Sequence, residues 1–225
     1  MSIAENLRTV RAAIVTAAEA ACRDPASVRL VAVTKTWPSS VVQEVIDAGQ
    51  YILGENKVQE LLTKAGELSP DVQWHLIGHL QQNKTRKVLP HCAMIHSVDS
   101  ADLAGQISRL AGELGITVKI LLQVNVANDE AKYGFPVGEI RRVFGELMAL
   151  PHLDICGLMT VPPFEDDLEK VRPHFVKLRE LRDELVAVHH HDLPELSMGM
   201  SHDFVVAIQE GATLVRIGSL IFGHR

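Results

Sequence analysis

Cysteine and aromatic residues are both scarce in this chain. It has three cysteines, and only 4% of its residues are aromatic. Cys22, Cys92 and Cys156 are widely spaced and odd in number, which argues against a disulfide framework and against the CxxC pairs of metal or redox sites. We therefore expect buried thiols in a reducing compartment, and we predict a cytoplasmic protein.

A surplus of basic residues is absent as well. The formal net charge is -6, so the chain lacks the positive field that binds the phosphate backbone of nucleic acids. The segment Met1-Ser-Ile-Ala-Glu-Asn-Leu-Arg has no signal-peptide core, and no run approaches the roughly 20 apolar residues of a membrane span. A Gly-rich nucleotide loop and a GxSxG motif are also missing. We expect neither nucleic acid nor a membrane as a partner.

What the chain does have is enough apolar sequence for one substantial core. It contains 225 residues, 47% of them hydrophobic, and no linker-like stretch interrupts it. We therefore predict one domain over residues 1–225. Apolar residues recur at helical spacing over residues 2–21, which predicts an amphipathic N-terminal helix that stops at Asp24-Pro25.

Short β-rich runs alternate with helical patterns after this helix. The predicted strands are eight, at 30–34, 51–53, 73–76, 94–97, 118–124, 153–158, 195–198 and 213–217. The predicted helices lie at 38–48, 55–66, 80–88, 100–113, 137–149, 165–188 and 202–210, with Gly49, Gly66, Gly115 and Gly211 as signals near their ends. Eight such units can close into an α/β fold, a single (β/α)8 TIM barrel with an extra N-terminal helix. An open doubly wound sheet shows the same alternation, so periodicity alone leaves both folds open.

Lys35 follows the apolar run Arg29-Leu-Val-Ala-Val-Thr at the end of the first predicted strand. Strand alternation places Val31, Val33 and Lys35 on one face, so the amine reaches the barrel mouth if the valines point inward. The alternative is a strand-end lysine that extends into solvent.

The last predicted strand offers groups that could bind an anion. Arg216 and Gly218 share a face of that strand, which would put a guanidinium in the mouth and the Gly218-Ser219 amides at a strand end. Ser201 is a good N-cap for the helix that follows it, whose first turn has free N–H groups. Phosphate sites built from the loops after strands 7 and 8 recur in TIM barrels. A plain helix cap and a glycine turn are the alternatives, but a lysine combined with a phosphate site suits pyridoxal phosphate.

Six ordered stretches of the chain carry a resemblance to a known family. They are Leu30-Val-Ala-Val-Thr-Lys35, Gly54-Glu-Asn-Lys-Val-Gln-Glu60, Trp74-His-Leu-Ile-Gly-His-Leu-Gln-Gln-Asn-Lys84, Gly157-Leu-Met-Thr160, Ser197-Met-Gly-Met-Ser201 and Val215-Arg-Ile-Gly-Ser-Leu-Ile-Phe-Gly223. In these stretches the chain resembles the pyridoxal phosphate homeostasis proteins, which are related in fold to the N-terminal barrel of bacterial alanine racemase.

The resemblance implies a role for each of six residues toward pyridoxal 5'-phosphate (PLP). It implies that Lys35 forms the Schiff base, that Asn56 lines the pocket, and that Arg216 faces the pyridine nitrogen. The phosphate would be held by Ser201, Gly218 and Ser219. Ser219 stands where threonine is familiar in the family, and its hydroxyl is retained.

A cation at the pyridine nitrogen has a chemical consequence. The nitrogen then stays unprotonated, which weakens the ring as an electron sink. Racemisation also needs a second proton-transfer group opposite the lysine, and the only tyrosines are Tyr51 and Tyr133. In alanine racemase the opposing tyrosine belongs to a C-terminal β domain that this chain is too short to contain. We therefore expect a PLP carrier or reservoir with no catalytic residues rather than an enzyme.

Two other functions stay open at this point. One is a PLP-dependent amino acid racemase, and the other is a barrel whose phosphate site holds a different ligand. The family resemblance implies PLP-dependent apo-enzymes as further partners, and we expect a monomer because no apolar stripe is left over on the predicted helices.

The histidines do not form a recognisable metal motif. His75 and His79 have i, i+4 spacing but lack the glutamate of HExxH and lie at a strand-to-loop junction. The run His189-His190-His191 ends a long predicted helix, where positive side chains complement the helix dipole. We expect no metal site.

Overall fold

The computed structural model describes residues 2–129 and 131–223; Met1, Glu130, His224 and Arg225 lie outside the described residues. The first helix, α1, spans Ile3–Ala20 and begins with a capping box. The Ser2 hydroxyl accepts from the Glu5 amide, and the Glu5 carboxylate accepts from the Ser2 amide. The apolar face of α1, which includes Leu7 and Val10, is buried. This is the predicted extra N-terminal helix.

The strands of the described chain are all parallel. They are β1 (Arg29–Val33), β2 (Ile52–Glu55), β3 (Gln73–Leu76), β4 (Met94–Val98), β5 (Val118–Asn125), β6 (Phe135–Pro136), β7 (Leu153–Met159), β8 (Glu195–Met200) and β9 (Leu214–Ile217). Their order is β4-β3-β2-β1-β9-β8-β7-β5, and pairing of β4 with β5 closes the ring. The short β6 pairs with β5 outside the ring. The prediction of a (β/α)8 TIM barrel is confirmed, and the open doubly wound sheet is wrong.

Helices connect the strands on the outside of the barrel. After α1 they are α2 (Ser39–Asp47), α3 (Val58–Glu67), α4 (Thr85–Val88), α5 (Ala101–Leu114), α6 (Val137–Met148), α7 (Leu168–His189), α8 (Phe204–Gln209) and α9 (Ser219–Phe222). The helix predicted at 80–88 is only one turn of α-helix, flanked by 3-10 turns at Gln82–Lys84 and Leu89–His91. The four-residue α9 has no counterpart among the predicted helices.

Two apolar cores lie on the two faces of the strands. The larger core fills the space between the barrel and the helices. The smaller core lies inside the barrel and is formed by Val31, Met94, Leu121, Met159 and Leu214. Since the inward side chains fill the lower part of the barrel, the open end is left for a pocket at the C-terminal ends of the strands.

Two details of local structure differ from the predictions. Gly66 lies near the end of α3 as predicted, but it is the next-to-last helical residue and the C-cap is Leu68; Gly49, Gly115 and Gly211 have positive φ and close their helices as predicted. Cys22 is exposed, and Cys92 and Cys156 are half-buried, so the expected set of buried thiols is not formed. None of the helices in the described part of the chain is both long and apolar enough to cross a membrane.

Candidate functional site

A cavity of about 400 Å³ opens at the C-terminal ends of the strands. All six residues singled out in the sequence line it, although they come from distant parts of the chain: Lys35, Asn56, Ser201, Arg216, Gly218 and Ser219. The cavity walls also include apolar side chains, among them Val33 and Ile77. The barrel topology therefore brings the predicted site residues into one pocket.

Lys35 lies two residues beyond the end of β1, and its side chain is exposed. Its placement follows from the alternation of β1, because Val31 belongs to the core inside the barrel and Val33 lines the cavity. Lys35 lines the same cavity. The side chain therefore lies at the barrel mouth, as one sequence interpretation predicted, and it is also open to solvent, as the other predicted.

Arg216 is buried at the floor of the cavity, with 4% of its surface exposed. Its guanidinium donates from Nη1 to Ser197 Oγ at 2.6 Å and from Nη2 to the Thr160 carbonyl at 2.9 Å. Burial lowers the pKa of Arg216 to about 10, with Asp203 opposing the shift, so the group keeps its charge at neutral pH. Within the described residues no carboxylate forms an ion pair with Arg216. The pocket floor therefore presents a fixed positive charge whose direct partners are neutral.

Behind Arg216, a chain of polar side chains crosses the inside of the barrel. Ser197 Oγ lies 2.8 Å from His96 Nδ1, and His96 Nε2 lies 2.9 Å from His75 Nδ1. Burial, with a smaller effect of Arg29, lowers the pKa of His75 to about 3, and burial, together with His75, Arg216 and Arg29, lowers the pKa of His96 well below its usual value. Both imidazoles are therefore neutral at physiological pH.

The direction of the hydrogen bonds in this chain depends on the tautomers of the two imidazoles. Ser197 Oγ accepts from Arg216 and lies against His96 Nδ1, and His96 Nε2 lies against His75 Nδ1. Because a neutral imidazole donates from one ring nitrogen and accepts at the other, each contact can be a hydrogen bond without a charge on either ring. Arg216 is thus held by an uncharged, hydrogen-bonded series of side chains.

The predicted helix cap at Ser201 is wrong. Helix α8 begins at Phe204 with Asp203 as its N-cap residue. The Ser201 hydroxyl instead accepts a hydrogen bond from the Gly218 amide at 3.2 Å. The Gly218 amide is therefore engaged by the protein, and the two loops that follow β8 and β9 are tied to each other.

The loop after β9 approaches β1 closely at Gly218. A Cβ at Gly218 would lie 3.2 Å from the Val33 carbonyl oxygen, a contact that needs a small shift, and 3.4 Å from Val33 Cβ, which is ordinary van der Waals contact. Ser219 follows at once as the first residue of α9. Ser201 and Ser219 thus both line the cavity, and their two loops are tied together by the bond from the Gly218 amide to the Ser201 hydroxyl.

Asn56 lines the cavity directly after β2. The loop after β3 packs against it, since a Cβ at Gly78 would lie only 2.3 Å from the Asn56 carbonyl oxygen. Only glycine permits this approach without a shift of backbone.

Two pairs of aromatic rings in contact lie at the rim of the barrel mouth, one stacked and one tilted. His79 stacks on Tyr133 with ring centroids 4.0 Å apart, and its Nδ1 lies 2.8 Å from Asp99 Oδ2. Phe164, which is largely exposed, packs on His202 with centroids 5.1 Å apart. These contacts cannot be read from the sequence, because they join loops that are far apart in the chain.

The two histidines of the i, i+4 pair, His75 and His79, lie apart from one another in the described structure. His75 lies inside the barrel against His96, whereas His79 lies at the rim against Asp99. Over residues 2–129 and 131–223, no group of three or more His, Cys, Asp or Glu side chains is arranged to hold a metal ion.

The fold and the pocket define a class of proteins. A family model described as the alanine racemase N-terminal domain matches residues 2–225. The chain is 44% identical over 226 residues to the pyridoxal phosphate homeostasis protein of Aquifex aeolicus, covering 100% of this chain and 99% of that protein. It is 42% identical over 227 residues to the protein of the same name from Pseudomonas aeruginosa, covering 100% of this chain and 96% of that protein.

A solved structure agrees with these relatives. PipY of Synechococcus elongatus with PLP bound superposes on this chain with a TM-score of 0.89 at 39% identity, covering 99% of this chain and 100% of that chain. The chain therefore belongs to the pyridoxal phosphate homeostasis protein family, and the resemblance seen in the six sequence stretches is confirmed.

Proposed function

We propose that this chain binds PLP as a Schiff base on Lys35 and serves intracellular PLP homeostasis as a carrier or reservoir. One observation carries the proposal: an exposed lysine, a buried arginine and two serine hydroxyls line a single cavity of about 400 Å³. The related PipY was solved with PLP bound, and its chain aligns with this one over the whole cavity-forming barrel.

The groups in the cavity match the chemistry of PLP. The cofactor supplies an aldehyde that condenses reversibly with a primary amine, and Lys35 is the lysine that lines the cavity. The hydroxyls of Ser201 and Ser219, on the loops after β8 and β9, donate to the phosphate. The Gly218 amide supports this part of the site indirectly, because it holds the Ser201 hydroxyl. Asn56 lines the wall between Lys35 and the loop after β3.

In this proposal Arg216 faces the pyridine nitrogen and keeps it unprotonated. The support is the burial of the guanidinium and its fixed bonds to Ser197 and Thr160. A permanent cation at this point disfavours a proton on the ring nitrogen. Carbanion chemistry is thereby handicapped, and the site suits storage and transfer better than turnover.

The tyrosines give no clear opposing acid or base for racemisation. Tyr51 precedes β2 and therefore lies at the opposite end of the barrel from Lys35. Tyr133 lies on the mouth side, but it is 59% exposed and stacks on His79. We propose that the protein has no dedicated amino acid turnover and that its partners are PLP and PLP-dependent apo-enzymes.

A spectral titration tests the proposal against its alternatives. Addition of PLP to wild type should produce the absorbance band of a Schiff base, Lys35→Ala should lack it, and Lys57→Ala should keep it because Lys57 is exposed outside the cavity lining. A band that survives in Lys35→Ala would reject the assignment of the amine. Solvent deuterium entering the α-position of any amino acid faster than with free PLP would favour the racemase. If the PLP-loaded protein reactivates an apo-enzyme faster than the same concentration of free PLP does, the result would support the carrier role.

A further inference from the structure

The turn that carries Lys35 is held on both sides by one helix. On the side of Thr34, Lys64 Nζ donates to the backbone carbonyl at 2.8 Å. On the side of Thr36, the backbone amide donates to Glu60 Oε2 at 2.7 Å. Glu60 and Lys64 lie one turn apart on α3, so the residues before and after Lys35 are fixed to the same rigid element.

A buried ion pair anchors this arrangement. Lys64 Nζ lies 2.5 Å from Glu55 Oε1, which also accepts from the Thr34 hydroxyl at 2.6 Å. Glu55 is fully buried and Lys64 is 4% exposed. Burial raises the pKa of the Glu55 carboxyl, and the bonds from Lys64 and Thr34 oppose that rise. Removing one partner of such a pair leaves an uncompensated buried group, whereas replacing both with neutral groups of similar shape is tolerated.

The backbone of the turn is strained. Thr36 has φ of +69°, a left-handed conformation that β-branched residues rarely adopt. Strain of this kind persists only where the surrounding structure over-determines it. The bond from the Thr36 amide to Glu60 is the contact that holds this residue directly. The direction in which Lys35 leaves the turn therefore depends on α3.

Lys64 itself is not available for an aldehyde. It is the buried lysine next to the turn, and its Nζ is engaged by Thr34 O and Glu55 Oε1, with Glu60 Oε2 at 3.8 Å. Neither Lys64, Glu55 nor Glu60 lines the 400 Å³ cavity. Any effect of these three residues on the ligand must pass through the turn.

We propose that Glu55, Glu60 and Lys64 are positioning residues that hold the Lys35 amine at the point where it meets the aldehyde of PLP. The inference rests on the proposed function, because it assumes that Lys35 forms the Schiff base. It predicts that substitution of these residues weakens Schiff-base formation. Noncovalent binding of the phosphate and the ring should stay unchanged, since Ser201, Ser219 and Arg216 belong to other elements.

Two ligands separate the two effects. PLP reports binding together with Schiff-base formation, whereas 4'-deoxypyridoxine 5'-phosphate has no aldehyde and reports binding alone. In Glu60→Ala, and in the double variant Glu55→Gln/Lys64→Met, the Schiff-base equilibrium should fall by roughly ten-fold because the amine is misplaced. Affinity for the deoxy analogue should match wild type. Glu60→Gln keeps an acceptor for the Thr36 amide and should restore much of the Schiff base.

A matched control and a ligand-free measurement complete the test. Glu184→Gln weakens the exposed Arg141–Glu184 pair. It should change neither the Schiff-base equilibrium with PLP nor the affinity for the deoxy analogue. In the protein without ligand, hydrogen exchange of the Thr36 amide should be slow in wild type, fast in Glu60→Ala and slow again in Glu60→Gln.

The outcomes are distinct. Variants with the wild-type Schiff-base equilibrium would overturn the inference and leave the proposed function intact. An equal loss of affinity for both ligands would also overturn it, because it would show a general disturbance of the fold. A wild-type protein that forms no Schiff base on Lys35 would overturn the proposed function and this inference with it.

Discussion

Arg216 donates from Nη1 to the Ser197 hydroxyl at 2.6 Å, and both residues are buried where the barrel interior meets the pocket. This contact joins the floor of the cavity to the histidine pair inside the barrel. It fixes the plane of the guanidinium and leaves the positive charge facing the cavity. Much of the chemistry proposed for the site depends on that charge.

The charge of Arg216 can be reversed. In Arg216→Glu, protonation of the bound pyridine should rise, and weak racemase or transaminase activity should appear because the ring becomes a better electron sink. Arg216→Gln is the control, since its amide can still donate to Ser197 or Thr160 but places no carboxylate beside the pyridine nitrogen. Absorbance titrations of the loaded proteins and α-deuterium exchange would measure both effects. Spectra and exchange rates of the glutamate variant equal to those of wild type would contradict the placement of the nitrogen.

The buried histidines make the free energy of unfolding depend on pH. Burial lowers the pKa of His75 in the folded state to about 3 from a usual value of 6.5, so below pH 6.5 the unfolded state takes up a proton that the folded state excludes. The free energy of unfolding should then fall by about 1.4 kcal/mol per pH unit for this group as the pH drops toward 3. Above pH 6.5 this contribution is constant.

His75→Gln tests this dependence. The variant removes the titrating ring and keeps a side chain that can bond to His96, so its unfolding free energy should fall less steeply with acid than that of wild type. Urea unfolding at several values between about pH 6 and pH 4 would compare the two slopes. Equal slopes would show that His75 is protonated in the folded protein.

Gly78 supports the pocket wall at Asn56. Because a Cβ there would lie 2.3 Å from the Asn56 carbonyl oxygen, Gly78→Ala should destabilise the fold by about 1–3 kcal/mol. Gly66→Ala is the matched control, since a Cβ at Gly66 meets nothing within 4 Å and the residue lies within α3. The control should stabilise the protein by about 0.5–1 kcal/mol. The melting temperatures of the two variants should therefore shift in opposite directions. A shift of both in the same direction would contradict the close contact between Gly78 and Asn56.

The cysteines should differ in reactivity. Burial raises the pKa of Cys92 to about 12, and burial together with Asp154 raises that of Cys156 to about 12. At pH 8 the thiolate fraction of each is then about one part in ten thousand. Iodoacetamide should modify the exposed Cys22 first, with the half-buried Cys92 and Cys156 modified far more slowly in the folded protein. Mass spectrometry of the intact protein would count the adducts, and rapid addition of two or three would contradict this assignment.

The alternation of strands and helices in the sequence predicts either a barrel or an open doubly wound sheet, and the family resemblance favours the barrel. In a parallel barrel the C-terminal ends of all strands meet at one face, so Lys35, which follows the first predicted strand, can be placed at the mouth without knowing any contact. Asn56 falls within the predicted helix at 55–66, and its place in the pocket comes from the resemblance alone. Arg216 shares a strand face with Leu214, so the sequence places its guanidinium in the mouth if that face points inward, and Leu214 does belong to the core inside the barrel.

Contacts between strands could not be predicted in the same way. The bond between His96 and Ser197 spans 101 residues and depends on the register of strands that are not neighbours in sequence. The anchoring of the Lys35 turn depends on the angle at which α3 packs on β2. The short helices α4 and α9 were poorly predicted because helices of one turn depend on tertiary packing rather than on propensity.

The central claim is that Lys35 is the amine that holds PLP. Borohydride reduction of the protein incubated with PLP, followed by peptide mass spectrometry, tests it most directly. We predict one pyridoxyl phosphate group per chain on the peptide containing Lys35, no such group in Lys35→Ala, and an unchanged group in Lys57→Ala. A label on another lysine, or no stable label in the wild-type protein, would contradict the account.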